Sequence, residues 1–387
     1  RLMAFESTRN VFLDKGRVPK KGFKCIQKDL ANTLEQLAKE GSSGFYEGLT
    51  AEKMVKAVQK EGGLWSLDDL KGYTLKVRKP LVGHYHDWTI VTVPPPSAGG
   101  ITLLTALNIL QHYEEDPLSE SDRIHLTVES LRRAYCDRAK YAGDPDFTNV
   151  PVGYLLSDAH TKALKSTIQL LKATPSAELK CGLPSDEKKQ TTHFSIMDQE
   201  GNRVSATLTI NGMFGSGYVV PGTGILLNSE MDDFSNEIGD ENQYGLVGHA
   251  SNLIAPQKRP VSSMMPTFLE SKQGIAIFGT PGGSRIPSMM LLSILASDEN
   301  KLPLTWVNHP RYHHQYMPDV ISYEPEAFTQ PIINALRLRG HRLEPVSHDY
   351  GDMQMVYWNH HVHRMSALSD ERGHGLGLVK AFKNKKH

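Results

Sequence analysis

Residues 188–210, KKQTTHFSIMDQEGNRVSATLTI, constrain the fold more than any other part of the chain. Two alternating runs flank an acidic, glycine-containing break, and alternation with period two is the pattern of a strand with two unlike faces. The break Gln199-Glu200-Gly201 suits a three-residue hairpin loop with Gly201 in the left-handed position. Asp198 then pairs with Asn202, and Thr191 falls opposite Thr209. Opposed side chains share a face of the sheet, about 5 Å apart at Cβ. One face carries Thr191, His193, Ser195, Ser205, Thr207 and Thr209; the other carries Phe194, Ile196, Val204, Ala206, Leu208 and Ile210. A two-residue turn would shift the register by one and set Thr191 against Ile210. Threonine favours strands and pairs with threonine across them, so the pairing by itself does not require chemistry.

The elements around this hairpin alternate between helix and strand. Leu30, Leu34 and Leu37 line one face of a helix that stops near Gly41, and a second helix starts at a Thr50 cap and ends at Gly62-Gly63. WTIVTV reads as a strand halted by Pro94, Pro95 and Pro96. Two helices follow, one after Gly99-Gly100 and one after a Ser119/Ser121 cap with Ile124, Val128, Leu131 and Tyr135 as its apolar stripe. Residues 143–190 have a loop-rich, lysine-rich linker composition, with a junction near 172–190. Residues 191–227, GIAIFGT and MQMVYW read as strands; PSMMLLSILAS and PIINALRLRG read as helices. The pattern predicts a layered α/β sandwich with antiparallel strands.

Composition excludes several classes. The 43 basic and 43 acidic side chains cancel, so no net field draws the chain to nucleic acid or an anionic membrane. No apolar run approaches the roughly 18 residues that span a bilayer, and no signal peptide is recognisable in a chain that opens without Met. Cys25, Cys136 and Cys181 are odd in number and widely spaced, which argues against a disulfide framework and against a Cys-x-x-Cys metal knuckle. His313, His314, His360, His361 and His363 have no Cys or carboxylate partner at regular spacing, so no metal is expected.

Three polar clusters lie downstream of the hairpin. NSEMDDFS gathers Glu230, Asp232 and Asp233 after an apolar run, a solvated acidic loop or a seat for an ammonium group. RPVSSMMPT sets Ser262-Ser263 between two prolines, a serine turn or a pair of hydroxyls for a carboxylate. GTPGGSR joins a strand to a helix, where its glycines can bring backbone N–H groups to an oxyanion or a phosphate. It lacks the Lys-[Ser/Thr] of a P-loop and the spacing of a dinucleotide fingerprint.

Taken in order, TTHFSIMDQEGNRVSATLTIN, NSEMDDFS, YGLVG, RPVSSMMPT, PGGSRI and RYHHQYMPD resemble the γ-glutamyltransferase family of N-terminal nucleophile hydrolases. FYEG, GGLWSLDDLKGY, VPPPSAGG and AGDPDF upstream are similar to that family's large subunit. The resemblance implies a four-layer αββα sandwich, mixed α/β in class and here incomplete at its N-terminus. It implies self-cleavage between Gln190 and Thr191, so that residues 1–190 are the C-terminal portion of a large subunit. Residues 191–387 are then the small subunit, and both stay together in one domain. Thr191 becomes the nucleophile, and its freed α-amino group, with an ordinary pKa of about 7.7–8.0, serves as general base.

The resemblance also assigns roles position by position. Thr209 hydrogen-bonds Thr191 Oγ1. Asn211, Glu230 and Asp233 hold a substrate α-ammonium group, and Ser262 and Ser263 hold its α-carboxylate. Gly282 and Gly283 supply the oxyanion N–H groups, and Tyr244 sits in a lid over the pocket. The donors are γ-glutamyl compounds such as glutathione, the acceptors water, amino acids or peptides, with no cofactor. The location is periplasmic or secreted. The family's large subunit runs on upstream and carries a carboxylate-gripping arginine there. Its absence implies either an excerpt of a longer protein or a truncated paralogue. Two alternatives keep the fold: a cephalosporin acylase-like or poly-γ-glutamate-cleaving amidohydrolase, and an inactive, uncleaved family member.

Overall fold

The computed structural model describes residues 1–113, 117–181, 191–235, 250–299 and 301–381. The chain divides into two compact units, Arg1–Arg78 with Ile210–Glu230, and Lys79–Thr209 with Met231–His387.

The first unit is built on helices α1 (Lys28–Glu40) and α2 (Gly48–Lys60). Its core is Met54, Tyr218 and Val220, ringed by Phe5, Phe45 and Trp65. Buried hydroxyls fasten the returning segment. Thr8 Oγ1 donates to the Gly217 carbonyl at 2.8 Å and accepts from Val219 N–H at 2.9 Å, and Thr33 Oγ1 donates to the Thr223 carbonyl at 2.8 Å. Two expectations change here. Helix α2 starts at Gly48, so Thr50 is a buried first-turn residue and not the cap. The strand ends at Thr209: Asn211 and Phe214 adopt positive φ, as do Gly215, Gly217, Gly222 and Gly224, so residues 210–227 hold no continuous β ladder and only an isolated Val219–Leu226 bridge.

The second unit holds a six-stranded antiparallel sheet. Its strands are β1 (Leu81–Tyr85), β2 (Trp88–Thr92), β5 (Thr267–Glu270), β6 (Gly274–Gly279), β7 (Gln354–Asn359) and β8 (Arg364–Ser369), in that spatial order. Helices α3 (Gly99–Gln111), α4 (Glu120–Tyr141) and α5 (Ile286–Asp298) pack on one face. There Ile90, Leu269, Ala276, Phe278 and Met355 meet Leu103, Leu107, Leu131 and Met290 in one core. Helix α4 starts at a Ser119–Asp122 capping box, and its predicted stripe of Ile124, Val128, Leu131 and Tyr135 is buried. Short helices Val152–Leu155 and Asp158–Ser166 occupy part of the predicted linker, whose residues 182–190 lie outside those described.

The hairpin of β3 (Thr191–Met197) and β4 (Arg203–Thr209) lies on the other face of the sheet. Its register is the predicted one, with Thr191 opposite Thr209 and Gly201 at φ 86°. The hydroxyl face, not the oily one, points inward. Ser195 Oγ reaches the Gln354 carbonyl at 3.3 Å, and Ser205 Oγ reaches the Phe278 carbonyl at 3.4 Å. Phe194 is 42% exposed and Leu208 51%. Among the described residues, helices, six-stranded sheet and hairpin thus stack in that order, and the apolar outer face of the hairpin is exposed.

One cysteine expectation is overturned. Cys136 on α4 is disulfide-bonded to Cys181, 45 residues away, with the Cα atoms 5.1 Å apart. Sequence separation does not limit such a bridge once a fold brings the two Cα atoms within reach. Cys25 is exposed and reduced. No helix among the described residues is long and apolar enough to cross a membrane.

Candidate active site

The second unit brings most of the predicted residues onto three supports: the hairpin, the turn after β6 and a serine loop. Thr191 and Thr209 are directly opposed at the open end of the hairpin. Two residues along the same face, the His193 ring is buried between hydroxyls, with Nδ1 2.8 Å from Thr207 Oγ1 and Nε2 3.0 Å from Ser195 Oγ. Burial pushes its pKa down to about 4, so the ring is neutral at neutral pH.

Strand β6 runs into Thr280, Pro281 and the two predicted oxyanion glycines. Gly282 has φ 150° and Gly283 has φ 56°, conformations that side chains rarely adopt. They lead through a 3₁₀ turn, Gly283–Arg285, into α5. The helix dipole therefore points its positive end at this turn. Tyr135 of α4 donates its hydroxyl proton to the Ser284 carbonyl, and Ser284 Oγ donates to Gln315 Oε1 at 2.6 Å. The RYHHQYMPD segment thus braces the glycine turn from behind.

The serine loop is held by the VPPPSAGG segment. Ala98 N–H donates to the Ser262 carbonyl at 2.8 Å, Ser262 N–H donates to the Pro96 carbonyl at 3.2 Å, and Ser97 Oγ donates to the Met264 carbonyl at 2.7 Å. A Cβ at Gly99 would lie 2.8 Å from the Ser263 carbonyl oxygen, so that position needs glycine for space. Asp144 of the AGDPDF segment accepts from Arg259 N–H at 2.9 Å, anchoring the entry to the same loop.

Asn252 couples this loop to the acidic cluster. Its Nδ2 donates to the Asp233 carbonyl at 2.8 Å, and its Oδ1 accepts from Val261 N–H at 3.0 Å. One buried amide thus ties the backbone at Asp233 to the backbone at Val261, the residue before the serine pair. Behind them, Arg138 of α4 donates to Ser263 Oγ at 3.3 Å. Burial lowers its pKa from the ordinary value, and Tyr135 and Asp233 partly offset that. A guanidinium can only donate, so the Ser263 hydroxyl accepts from it. Ser262 Oγ likewise accepts from Met264 N–H, at 3.1 Å.

Asn211 and Glu230 belong to the first unit. Asn211 is buried at φ 65° and donates to the Ser229 carbonyl at 2.9 Å; Glu230 N–H donates to Asn228 Oδ1 at 2.9 Å. Gln190 and Tyr244, expected at the cleavage site and in a lid, lie outside the described residues.

Sequence reading missed Arg138, Asn252 and Tyr135. The Arg138 and Tyr135 side chains look like ordinary helix residues until their burial is known, and nothing in the spacing of Asn252 marks it as a bridge. The only hint for Arg138 was its position between the α4 stripe and AGDPDF.

Metal-type donors gather elsewhere: His125, Glu129 and His341 have ligand atoms within 4.8 Å of one another. The Glu129 carboxylate is already paired with Arg132 and Arg133, an environment that repels a cation. His360, His361 and His363 lie in the turn between β7 and β8, beside a strand as expected. A cavity of about 380 Å³ opens beside β3, lined by Thr192, Ser195, Pro281, Asp352 and Gln354 among others. A second, of about 690 Å³, lies in the helical layer and touches none of the predicted residues.

Comparison with known proteins gives a consistent picture. The family model of gamma-glutamyltranspeptidase matches residues 1–379. The glutathione hydrolase proenzyme of Escherichia coli is 38% identical over 343 residues, 87% of this chain and 59% of that protein. The glutathione hydrolase proenzyme of Pseudomonas aeruginosa is 39% identical over 368 residues, 93% of this chain and 65% of that protein. This chain therefore spans less than two thirds of the length of these curated relatives. Among solved structures, the cephalosporin acylase of Bacillus halodurans superposes with a TM-score of 0.81 at 26% identity, covering 97% of this chain and 66% of that one.

Proposed function

The chain belongs to the gamma-glutamyltranspeptidase family, and on that premise we propose that Thr191 is freed by self-cleavage after Gln190 and then hydrolyses or transfers γ-glutamyl amides such as glutathione. In the first step Thr191 Oγ1 attacks the Gln190 carbonyl, the acyl group moves to oxygen, and water releases Thr191 as a new N-terminus. The α-amino group then takes the hydroxyl proton as Thr191 attacks the γ-glutamyl carbonyl. Thr209, directly opposite, orients the attacking oxygen. Gly282 and Gly283, at the positive end of α5, stabilise the oxyanion. The protonated amine gives its proton to the leaving amine. Water or an amino acid then takes the γ-glutamyl group from the ester.

The observation that carries the substrate class is the amide bridge through Asn252. It ties the backbone at Asp233, whose carboxylate suits an ammonium group, to the backbone at Val261, next to Ser262 and Ser263, whose hydroxyls suit a carboxylate. A two-ended clamp of this kind fits the zwitterionic head of a γ-glutamyl donor. By resemblance alone, Asn211 and Glu230 are assigned to the ammonium group and Tyr244 to a lid.

The two pieces are proposed to stay associated after cleavage. β1 and β2 precede the cut and β5 to β8 follow it, yet they form one sheet in which Thr92 pairs with Thr267. Cutting the chain leaves those hydrogen bonds in place. The disulfide favours an oxidising compartment, which supports a periplasmic or secreted location.

A denaturing gel tests the first step. Two bands that divide the chain at Thr191, and one uncut band for Thr191→Ala, are expected; cleavage that survives in Thr191→Ala would remove Thr191 from the role. The likeness to a cephalosporin acylase keeps a second substrate in view. γ-Glutamyl-p-nitroanilide should turn over and a glutaryl amide, which lacks the α-ammonium group, should not; the reverse preference would establish the acylase reading.

A further inference from the structure

We infer that the His193 ring, seated on Gly279, sets the separation between the nucleophile strand and the oxyanion turn, which makes both positioning residues. This rests on the proposed roles of Thr191 and of Gly282 and Gly283. His193 lies two residues after Thr191 on the same face of β3. Gly279 is the last residue of β6, three before Gly282. The two strands belong to different layers that are in contact.

A Cβ at residue 279 would lie 2.5 Å from both Cε1 and Nδ1 of the ring, and the φ there is not in the left-handed region. Glycine is therefore required for space and not for backbone conformation. The neighbours of the ring are hairpin side chains and the backbone of the six-stranded sheet, so there is little room to yield.

The ring is also pinned in rotation. Ser195 Oγ donates to the Gln354 carbonyl of β7 and so accepts from His193 Nε2–H. Nδ1 is then the acceptor for the Thr207 hydroxyl. Both nitrogens of a neutral imidazole are satisfied, and the depressed basicity caused by burial agrees with that state. Beyond Gly279, Thr280 Oγ1 accepts from Asp352 N–H at 3.2 Å and donates to the Pro281 carbonyl at 3.0 Å. The path from Thr191 through the ring to Gly282 thus has a fixed partner at each step. His193 transfers no proton in this role; it acts as a spacer.

A double-mutant cycle on the full chain tests the inference, reading self-cleavage rate, kcat, KM and melting midpoint for the parent, His193→Ala, Gly279→Ala and the double variant. Gly279→Ala should slow cleavage and lower kcat about 10-fold or more while KM moves less than about 2-fold, since misplacement by a fraction of an ångström acts on the reacting geometry. Removing the ring makes room for the new methyl group. The double variant should therefore match His193→Ala within about 3-fold, a strongly non-additive result. The pH profile of kcat/KM should not shift in His193→Ala, because no titrating group has been lost.

If Gly279→Ala does not fold, the comparison of the double variant with His193→Ala still decides: equal behaviour supports the spacer. A double variant as impaired as the product of the single changes, or a Gly279→Ala protein that cleaves and turns over like the parent, overturns it. If the parent itself neither cleaves nor turns over substrate, the proposed function fails and the inference falls with it. An active parent with an additive cycle overturns the spacer alone.

Discussion

Threonine is a weak nucleophile, and the chemistry proposed at Thr191 depends on what surrounds one oxygen. The cross-strand partner was legible from the sequence because a three-residue turn leaves only one register, and the structure has that register. Thr209→Val keeps the shape of the side chain and removes its hydroxyl. Turnover of γ-glutamyl-p-nitroanilide should fall about 10- to 100-fold with KM little changed, and Thr209→Ser should recover most of it; these ranges follow the usual worth of one orienting hydrogen bond. Arg138 and Asn252 were not legible, because a side chain's burial depends on residues far away in sequence. Arg138 sits in YCDRAKY, which as a helix segment gives no sign that its guanidinium is buried against Ser263.

At the scale of elements, two loops and one amide form the proposed clamp. The serine loop has few internal bonds and takes its shape from residues 96–99, Asp144 and Asn252. Asn252→Ala removes both bridging bonds and leaves a buried carbonyl and N–H without that partner. A cost of about 1–3 kcal/mol is usual for such a loss. Because the clamp grips the donor head and not the reacting carbonyl, KM should rise about 10-fold while kcat falls less, as read from steady-state kinetics. The sequence reading had both polar clusters but no means of joining them, since Asn252 is 19 residues from Asp233 and bonded through its side chain. It also extended strand structure to residue 227, because period-two alternation outweighed the glycines. Those glycines, at positive φ, lie within residues 210–230, which follow the hairpin and belong to the first unit.

At the scale of the whole molecule, buried histidines tie stability to pH. Burial lowers the pKa of His193 and His314 to about 4 and that of His341 to about 3. The ordinary value is about 6.5. As pH falls below that value the unfolded chain takes up protons that the folded chain refuses. The contribution of these groups is thus complete above about pH 6.5 and is lost progressively toward pH 4, by up to about 1.4 kcal/mol per pH unit for each histidine. Melting midpoints should be level between pH 7 and 8 and fall steeply below about pH 6. A midpoint that stays level down to pH 4.5 would contradict this assignment of buried neutral rings.

The sequence by itself determined the local geometry: the hairpin and its register, the helix at the Ser119 cap, and the glycine turn between β6 and α5. Each follows from periodicity, capping and backbone sterics, which act between near neighbours. Only the tertiary structure decided which face of the hairpin is buried. Alternation separates a hydroxyl face from an oily one but does not say which meets the next layer. Here Ser195, Ser205 and His193 find carbonyl and hydroxyl partners on neighbouring strands, so the polar face turns inward with its hydrogen bonds satisfied. The same packing decided that Cys136 meets Cys181, and that the His193 imidazole lies over Gly279, between the proposed nucleophile strand and the proposed oxyanion turn. Such contacts join residues far apart in the chain, and they exist only once the layers have stacked.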